Sequence, residues 1–269
     1  MGGQFVSVVL PTFNRATTLR RAIDSVLDQS HRHLEVTVVD DGSTDDTAEV
    51  VGAIDDERLR YIRLAANRGQ AAARNVGLKA SEAPLVAFQD SDDIWHPRKL
   101  EMQLRWLDRH PQAVGVYCDL ERRFLAGHSV TIEAPTLETG RYLDERPSLY
   151  QTYGLGIQSC VLHKKVLIEA GGFSEQMKSL EDLELLLRIA YRHRLQRLPE
   201  ALVDYFESDT SVSKVPENER RARIFLLSRY GLWGAARYPI NVANEIAWCF
   251  APPRRAARKW LRLFPGRRG

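Results

Sequence analysis

Phe88-Gln89-Asp90-Ser91-Asp92-Asp93 crowds three carboxylates into four positions directly after the apolar run Pro84-Leu85-Val86-Ala87-Phe88. The run reads as a short buried strand, and Pro97 followed by Leu100, Leu104 and Leu107 reads as the opening of an amphipathic helix. The acidic cluster is therefore expected on a strand-to-helix turn. In an open α/β sheet, ligands bind at the carboxyl ends of the strands. Carboxylates this close repel one another unless something positive sits between them, and a hard divalent cation carrying phosphate oxygens meets that need. The same residues also suit a helix cap and a solvated turn, because Asp is favoured in both. The rest of the chain has to decide between the two.

Working back from this stretch, residues 6–10 form a strand pattern stopped by Pro11, and Phe13-Asn14-Arg15 makes a turn. Thr17 or Thr18 is the expected cap of a helix with Leu19, Ala22, Ile23, Val26 and Leu27 on one face. A strand over 34–39 ends in Asp40-Asp41-Gly42-Ser43, and Thr44 or Asp45 caps the helix after it. A third strand covers 59–64, and the Ala-rich run over 70–80 follows Asn67-Arg68-Gly69 as a strong helix former. This alternation implies right-handed crossovers and a mostly parallel sheet. The acidic turns after the second and fourth strands then lie at one edge of it.

Working forward, a strand is expected over 114–120. An irregular stretch over 121–158, broken by Pro135, Gly140 and Pro147, suits a substrate loop. A strand over 160–162 and a short helix stopped by Gly171-Gly172 come next. Residues 180–194 read as a helix with Leu183, Leu186, Leu187 and Ala190 on one face and Glu181-Asp182 in its first turn. Beyond 202–206 the character changes to arginine-dense helices over 217–232 and 241–250, then a basic tail. The expected division is a domain over 1–212 and a helical, basic C-terminal extension over 213–269.

The 269 residues carry a formal net charge of +3, with 44% hydrophobic and 27% charged residues, an ordinary globular composition. The basic excess is concentrated in the tail, around Arg254, Arg255, Arg258, Lys259 and Arg262, which leaves the body near neutral. A nucleic-acid binder would spread that charge over its fold. Cys118, Cys160 and Cys249 are odd in number and far apart, which argues against a disulfide framework and for a reduced, cytoplasmic setting. Neither a signal peptide nor a membrane span is expected.

The usual nucleotide signatures are absent: there is no Walker loop, no Gly-rich dinucleotide turn after the first strand, no nucleophile elbow and no His-Glu zinc helix. A site that binds a diphosphate through acids does so through a metal, Mn²⁺ or Mg²⁺, whose preference for oxygen matches Asp90 and Asp92. Such a metal offsets charge as a nucleoside diphosphate departs.

At this point the order of the motifs matters. Pro11-Thr12-Phe13-Asn14-Arg15, Val39-Asp40-Asp41-Gly42-Ser43, Ala73-Arg74-Asn75, Asp90-Ser91-Asp92-Asp93, Gly171-Gly172-Phe173 and Glu181-Asp182 resemble the family 2 glycosyltransferases over roughly residues 5–206. The resemblance implies a GT-A fold, a Rossmann-like mostly parallel sheet flanked by helices, with a nucleotide-sugar donor, a divalent metal and inversion at the anomeric carbon. It implies that Pro11 and Phe13 line a base pocket and that Asp41 accepts the N3–H of uracil or thymine. Arg74 would approach the phosphates or the base. Asp92 would be the principal metal ligand beside Asp90, and Asp182 the base that takes the acceptor's proton. Trp95 would offer the sugar an apolar face. The family often carries a His or Arg near residues 207–211, and this chain has no basic residue there before Lys214.

The expected function is transfer of a sugar from a UDP or TDP donor to a hydroxyl of a glycan or lipid-linked acceptor, in glycan or polysaccharide assembly. Two alternatives stand beside it. A sugar-nucleotide nucleotidyltransferase should show a Gly-rich basic loop after the first strand, and a non-catalytic nucleotide-sugar-binding module should have lost Asp92 or Asp182. The tail, with Trp248, Phe250, Trp260 and Phe264 among its arginines, suits either peripheral contact with an anionic membrane or packing on the domain.

Overall fold

The computed structural model describes residues 4–124, 127–134, 155–206 and 216–230. Four parallel strands form its first half. β1 (Val6–Thr12), β2 (Leu34–Asp40) and β4 (Leu85–Phe88) are buried at every position, and β3 (Leu59–Arg63) lies on the outer edge, half covered. β1 sits between β2 and β4, with Val8 facing Val36 on one side and Ala87 on the other, and β3 flanks β2. Strands covered on both faces read as continuous apolar runs, which is why they are legible in the sequence.

Alternate residues of β1 serve different faces. Val6, Val8 and Leu10 pack with Leu19, Ile23 and Val26 of α1 (Ala16–Leu27). Val9 and Val39 pack with Ala73 and Leu78 of α3 (Gln70–Ala80) on the opposite face. α2 (Thr47–Gly52) links β2 to β3. The expected caps differ from those found. Thr17 and Thr18 lie inside the first turn of α1, Arg15 occupies the N-cap position without a side-chain cap, and the Ala16 amide donates to Asp45 Oδ2 at 3.1 Å. The cap comes from the turn after β2, across the sheet edge, so local spacing cannot reveal it.

The second half is mixed. Its elements are β5 (Ile94–Trp95), α4 (Lys99–Asp108), β6 (Ala113–Arg123), β7 (Ser129–Ile132), β8 (Cys160–His163), α5 (Lys164–Glu169), α6 (Glu181–Ala190), β9 (Arg194–Phe206) and α7 (Pro216–Tyr230). Among the described residues the strand order is β3-β2-β1-β4-β8-β6-β9-β5, with β7 on β6. β8 runs antiparallel to both β4 and β6, while β6 and β9 are parallel. The sheet is therefore mixed, mostly parallel and flanked by helices.

Three expectations need correction. The region read as irregular from 121 begins with an antiparallel β6–β7 pairing, Glu121 opposite Thr131, on a half-exposed edge where polar residues hide the strand pattern. α6 stops at Ala190, because Arg194 already opens β9 and Leu195 and Leu198 go into the sheet. The acidic turn leads first into β5, not directly into a helix. Residues 135–154, the helix expected over 241–250 and the basic tail lie outside the described residues, as does Cys249. Ala222 and Leu226 of α7 are buried with Met177, Leu183 and Leu187, so this helix packs behind α6. Among the described residues no helix is long and apolar enough to cross a membrane, and Cys118 and Cys160 are buried and free.

Lys99 at the start of α4 is fully buried; its Nζ donates to Gln103 Oε1 at 2.9 Å and lies 3.8 Å from the centre of the Trp95 ring. Burial pushes this ammonium down from 10.5 to about 8. Between those values the unfolded chain binds more protons than the folded one, so this group adds stability as pH rises. Wild type is expected to gain on the order of 1–3 kcal/mol relative to Lys99→Met from about pH 8 to about pH 10. Denaturant titrations of both proteins across that window measure it, and parallel curves would place the amine's titration elsewhere.

Candidate functional site

Because β1, β2 and β4 are parallel and adjacent, their carboxyl ends bring three turns to one edge: residues 13–15, 40–43 and 89–93. The first two are tied together. Asn14 adopts a left-handed φ of 52°, its amide donates to Ser43 Oγ at 2.9 Å, and its Oδ1 accepts the Thr44 amide at 2.8 Å. Asn tolerates this conformation better than most residues. Gly42 has φ 77°, and a Cβ there would come within 2.8 Å of the Ala66 carbonyl carbon, so the turn admits only glycine.

Asp41 is buried, and its Oδ1 and Oδ2 accept the amides of Arg68 and Gly69 at 2.8 and 2.7 Å. It thereby fixes the loop ahead of α3. Asp40 is spent on structure, accepting from the Tyr61 hydroxyl at 2.6 Å and the Ser43 amide at 2.8 Å. Pro11 is buried within β1, and the Phe13 ring is 40% exposed at the rim of the same edge.

The acidic turn is stitched down from the far side. Asp93 is fully buried and Oδ1 accepts the Phe206 amide at 3.1 Å; Arg21 Nη2 donates to the Asp92 carbonyl at 3.0 Å while its guanidinium lies over the Phe206 ring. Asp93 caps no helix; it anchors the end of β9. Trp95 is 2% exposed under Lys99, and burial in the core removes the apolar face expected of it. Asp90 and Asp92 remain partly open, at 27% and 24% of side-chain surface. Burial first, and then the Asp90 charge, raises the Asp92 carboxyl above its ordinary value, while Arg15 and Arg21 oppose the shift.

The expected approach of Arg74 to a ligand's phosphates or base meets a different geometry. Arg74 is 3% exposed, with Nη2 on Asp90 Oδ1 at 2.8 Å and Nη1 on Glu181 Oε1 at 2.5 Å. Both terminal nitrogens are occupied, and together the two carboxylates hold the guanidinium charged in spite of burial. Glu181 opens α6, and its neighbour Asp182 is thereby brought to the edge that holds Asp90. Burial is the largest influence on Asp182 and raises its carboxyl from the ordinary value; Arg74 and the Leu183 and Ile157 amides oppose this, and Asp90 adds to it. A position in the first turn of a helix acts in the opposite direction.

A second link lies beside the first. Asn75 accepts the Phe173 amide at Oδ1 (2.8 Å) and donates to the Phe173 carbonyl from Nδ2 (2.9 Å). Gly172, at φ 68°, leaves the room: a Cβ there would meet Asn75 Oδ1 at 2.6 Å. Glu181 and Asn75 are the residues whose roles the sequence reading missed. Glu181 and Arg74 are 107 positions apart, so the only signals were adjacency to Asp182 and to Arg74.

The donor set fits a hard divalent cation. Asp90 and Asp92 present partly open carboxylate oxygens that repel one another, the oxygen chemistry such ions select. No group of three or more His, Cys, Asp or Glu arranged for a metal occurs among the described residues.

Comparison with known proteins now adds the class. Residues 7–170 match Glycosyl transferase family 2, and the chain belongs to that family. It is 28% identical over 262 residues to the Escherichia coli UDP-Glc:α-D-GlcNAc-diphosphoundecaprenol β-1,3-glucosyltransferase WfgD, covering 91% of this chain and 99% of that one. It is 43% identical over 104 residues to the putative teichuronic acid biosynthesis glycosyltransferase TuaG of Bacillus subtilis, 38% of this chain and 41% of that one. An uncharacterized glycosyltransferase of Rickettsia felis is 32% identical over 201 residues, 71% of this chain but only 31% of that protein. The chain thus spans less than a third of that relative's length. S. aureus TarS in complex with UDP-GlcNAc matches with a TM-score of 0.66 at 24% identity, over 83% of this chain and 67% of that chain. The mannosyltransferase PcManGT of Pyrobaculum calidifontis, in complex with GDP-Man and Mn²⁺, matches at 0.65 with 19% identity, over 98% and 81%. These likenesses show the fold, which is the GT-A arrangement.

Removing the guanidinium leaves two carboxylates without their cation, one of them buried, a change that costs about 3–5 kcal/mol. Arg74→Met is expected to lower the stability of the folded protein by that order at neutral pH, as measured by chemical denaturation; a loss below about 1 kcal/mol would mean the pair is effectively solvated.

Proposed function

We propose that this protein is an inverting glycosyltransferase that moves a sugar from a UDP or TDP donor to a hydroxyl of a glycan or lipid-linked acceptor, in polysaccharide assembly. The observation that carries the reading is the placement of Asp182 and the Asp90–Asp92 turn on one sheet edge, joined through Arg74, in a chain of the glycosyltransferase 2 family. A leaving-group site and a base have to face the same anomeric carbon from opposite sides, and this edge carries carboxylates suited to each task.

In this reading Phe13 and Pro11 flank the nucleobase, and Asp41 receives its N3–H. Each Asp41 oxygen has a second lone pair beyond the one given to a backbone amide. Asp92 and Asp90 would hold Mn²⁺ or Mg²⁺ and, when bound, that ion supplies charge compensation to the departing diphosphate. Asp182 accepts the proton from the acceptor hydroxyl as that oxygen bonds to C1 and the C1–O bond to the diphosphate breaks, so configuration inverts in a single displacement. A carboxyl raised by burial is a stronger base than an exposed one, which suits a proton taken from an alcohol. Arg74 keeps Asp90 and Glu181 in register and stays out of the reaction.

The acceptor class draws its support from WfgD, whose name states a diphosphoundecaprenol-linked substrate. An acceptor of that kind would put the enzyme at the cytoplasmic membrane face, where the basic tail could rest on anionic lipid. The nucleotidyltransferase alternative lacks its Gly-rich basic loop here, since the turn after β1 is Phe13-Asn14-Arg15.

Asp182→Asn is expected to cut transfer by a factor on the order of 100 or more while donor affinity, followed by calorimetry, stays within about threefold. Turnover that survives the substitution would move the base elsewhere. Separately, UDP or TDP should raise the melting temperature in Mn²⁺ and lose that effect in chelator, as a ligand of the folded state alone does. An equal shift in both conditions would remove the metal from the site.

A further inference from the structure

We infer that Arg15, and not Arg74, is the arginine that meets the donor's diphosphate. The inference rests on the donor reading above and adds a residue to it. Three arginines surround the acidic turn, and two of them are already committed. Arg74 is enclosed, with both terminal nitrogens on carboxylates. Arg21 is bound to the Asp92 carbonyl and lies 4.4 Å from the centre of the Phe206 ring. The remaining N–H groups of Arg74, the partnerless Nε among them, are buried with it at 3% exposure, so a phosphate could meet them only if the side chain left Asp90 and the buried Glu181.

Arg15 is differently placed. Its Nε lies 3.8 Å from Asp92 Oδ2, beyond hydrogen-bond range, and both side chains are 24% exposed. Among the described residues its guanidinium makes no hydrogen bond, so its N–H fork is free to donate. Its backbone, by contrast, is fixed. Asn14 before it is held in the left-handed conformation by Ser43 and Thr44, and the Arg15 amide points to Thr47 Oγ1 at 3.4 Å. The turn after β1 therefore carries an exposed aromatic ring at Phe13 and, two residues on, a guanidinium with no hydrogen bond of its own beside Asp92. Planar guanidinium matches phosphate geometry with paired hydrogen bonds. Donors already aimed where charge develops contribute most as the bond to the leaving group breaks.

Two variants and one control test the assignment: Arg15→Gln, Arg15→Lys and Arg20→Gln, the last removing an exposed arginine of α1 paired with Asp24. Calorimetry with Mn²⁺ measures UDP and TDP against uridine and thymidine. Arg15→Gln is expected to weaken the diphosphate at least about tenfold and to leave the nucleoside unchanged. Arg15→Lys should recover part of the loss, and Arg20→Gln should match wild type. If Arg15→Gln weakens nucleoside and diphosphate in parallel, or changes neither, the inference is overturned. Wild type that binds neither UDP nor TDP would overturn the donor reading itself, a result distinguishable because it involves no variant.

Discussion

A single buried guanidinium joins the two halves of this sheet along the carboxyl ends of β1, β2 and β4. Arg74 stands on α3, in the parallel half, and reaches Asp90 at the end of β4 and Glu181 at the start of α6. A charge so deep has to be compensated in place, since the cost of leaving it unpaired exceeds what most surface contacts return. Compensation thus fixes the distance between the acidic turn and the helix that carries Asp182. Asn75, one residue on, repeats the attachment with a neutral group by pairing with both backbone atoms of Phe173. α3 works as a bracket: its apolar residues hold the sheet, and Arg74 and Asn75 hold the segment after α5.

The acidic turn is restrained from its other side too. Asp93, Arg21 and the short β5–β9 pairing all tie it to the end of β9. Two carboxylates that repel each other would otherwise open the turn in the absence of a cation. Here the backbone carries the constraint and the side chains of Asp90 and Asp92 keep partial exposure. The arrangement holds two like charges close together at the cost of some stability.

Much of this was legible in the chain. Buried parallel strands announce themselves as apolar runs, α3 falls over 70–80 as its alanines predict, and the acidic turns after β2 and β4 share an edge because the strands are parallel. What was hidden is long-range. The cap of α1 comes from Asp45, the partner of Arg74 lies 107 residues away, and Trp95 is a core residue because Lys99 covers it. β7 escaped because an edge strand open on one face does not alternate cleanly. α6 was read past Ala190 because residues 191–194 contain no glycine or proline to stop a helix, while Arg194 already opens β9. Composition and spacing locate turns well, but they do not say which of several charges at a turn is already spoken for.

Leu180 governs how α6 begins. It is a leucine at φ 58°, a conformation that costs a non-glycine residue about 1–2 kcal/mol, and it immediately precedes α6. Its side chain packs against Met177, Leu183 and Leu187, with Ala222 and Leu226 of α7 behind them, which offsets the strain. A reversed dihedral here prevents the helix from starting one residue early. Successive residues of an α-helix are rotated by about 100°, so a slip of one position would turn Glu181 away from Arg74 and swing Asp182 off the edge. The strained leucine sets the rotational phase of α6, and α7, by burying the same cluster, helps to keep that phase.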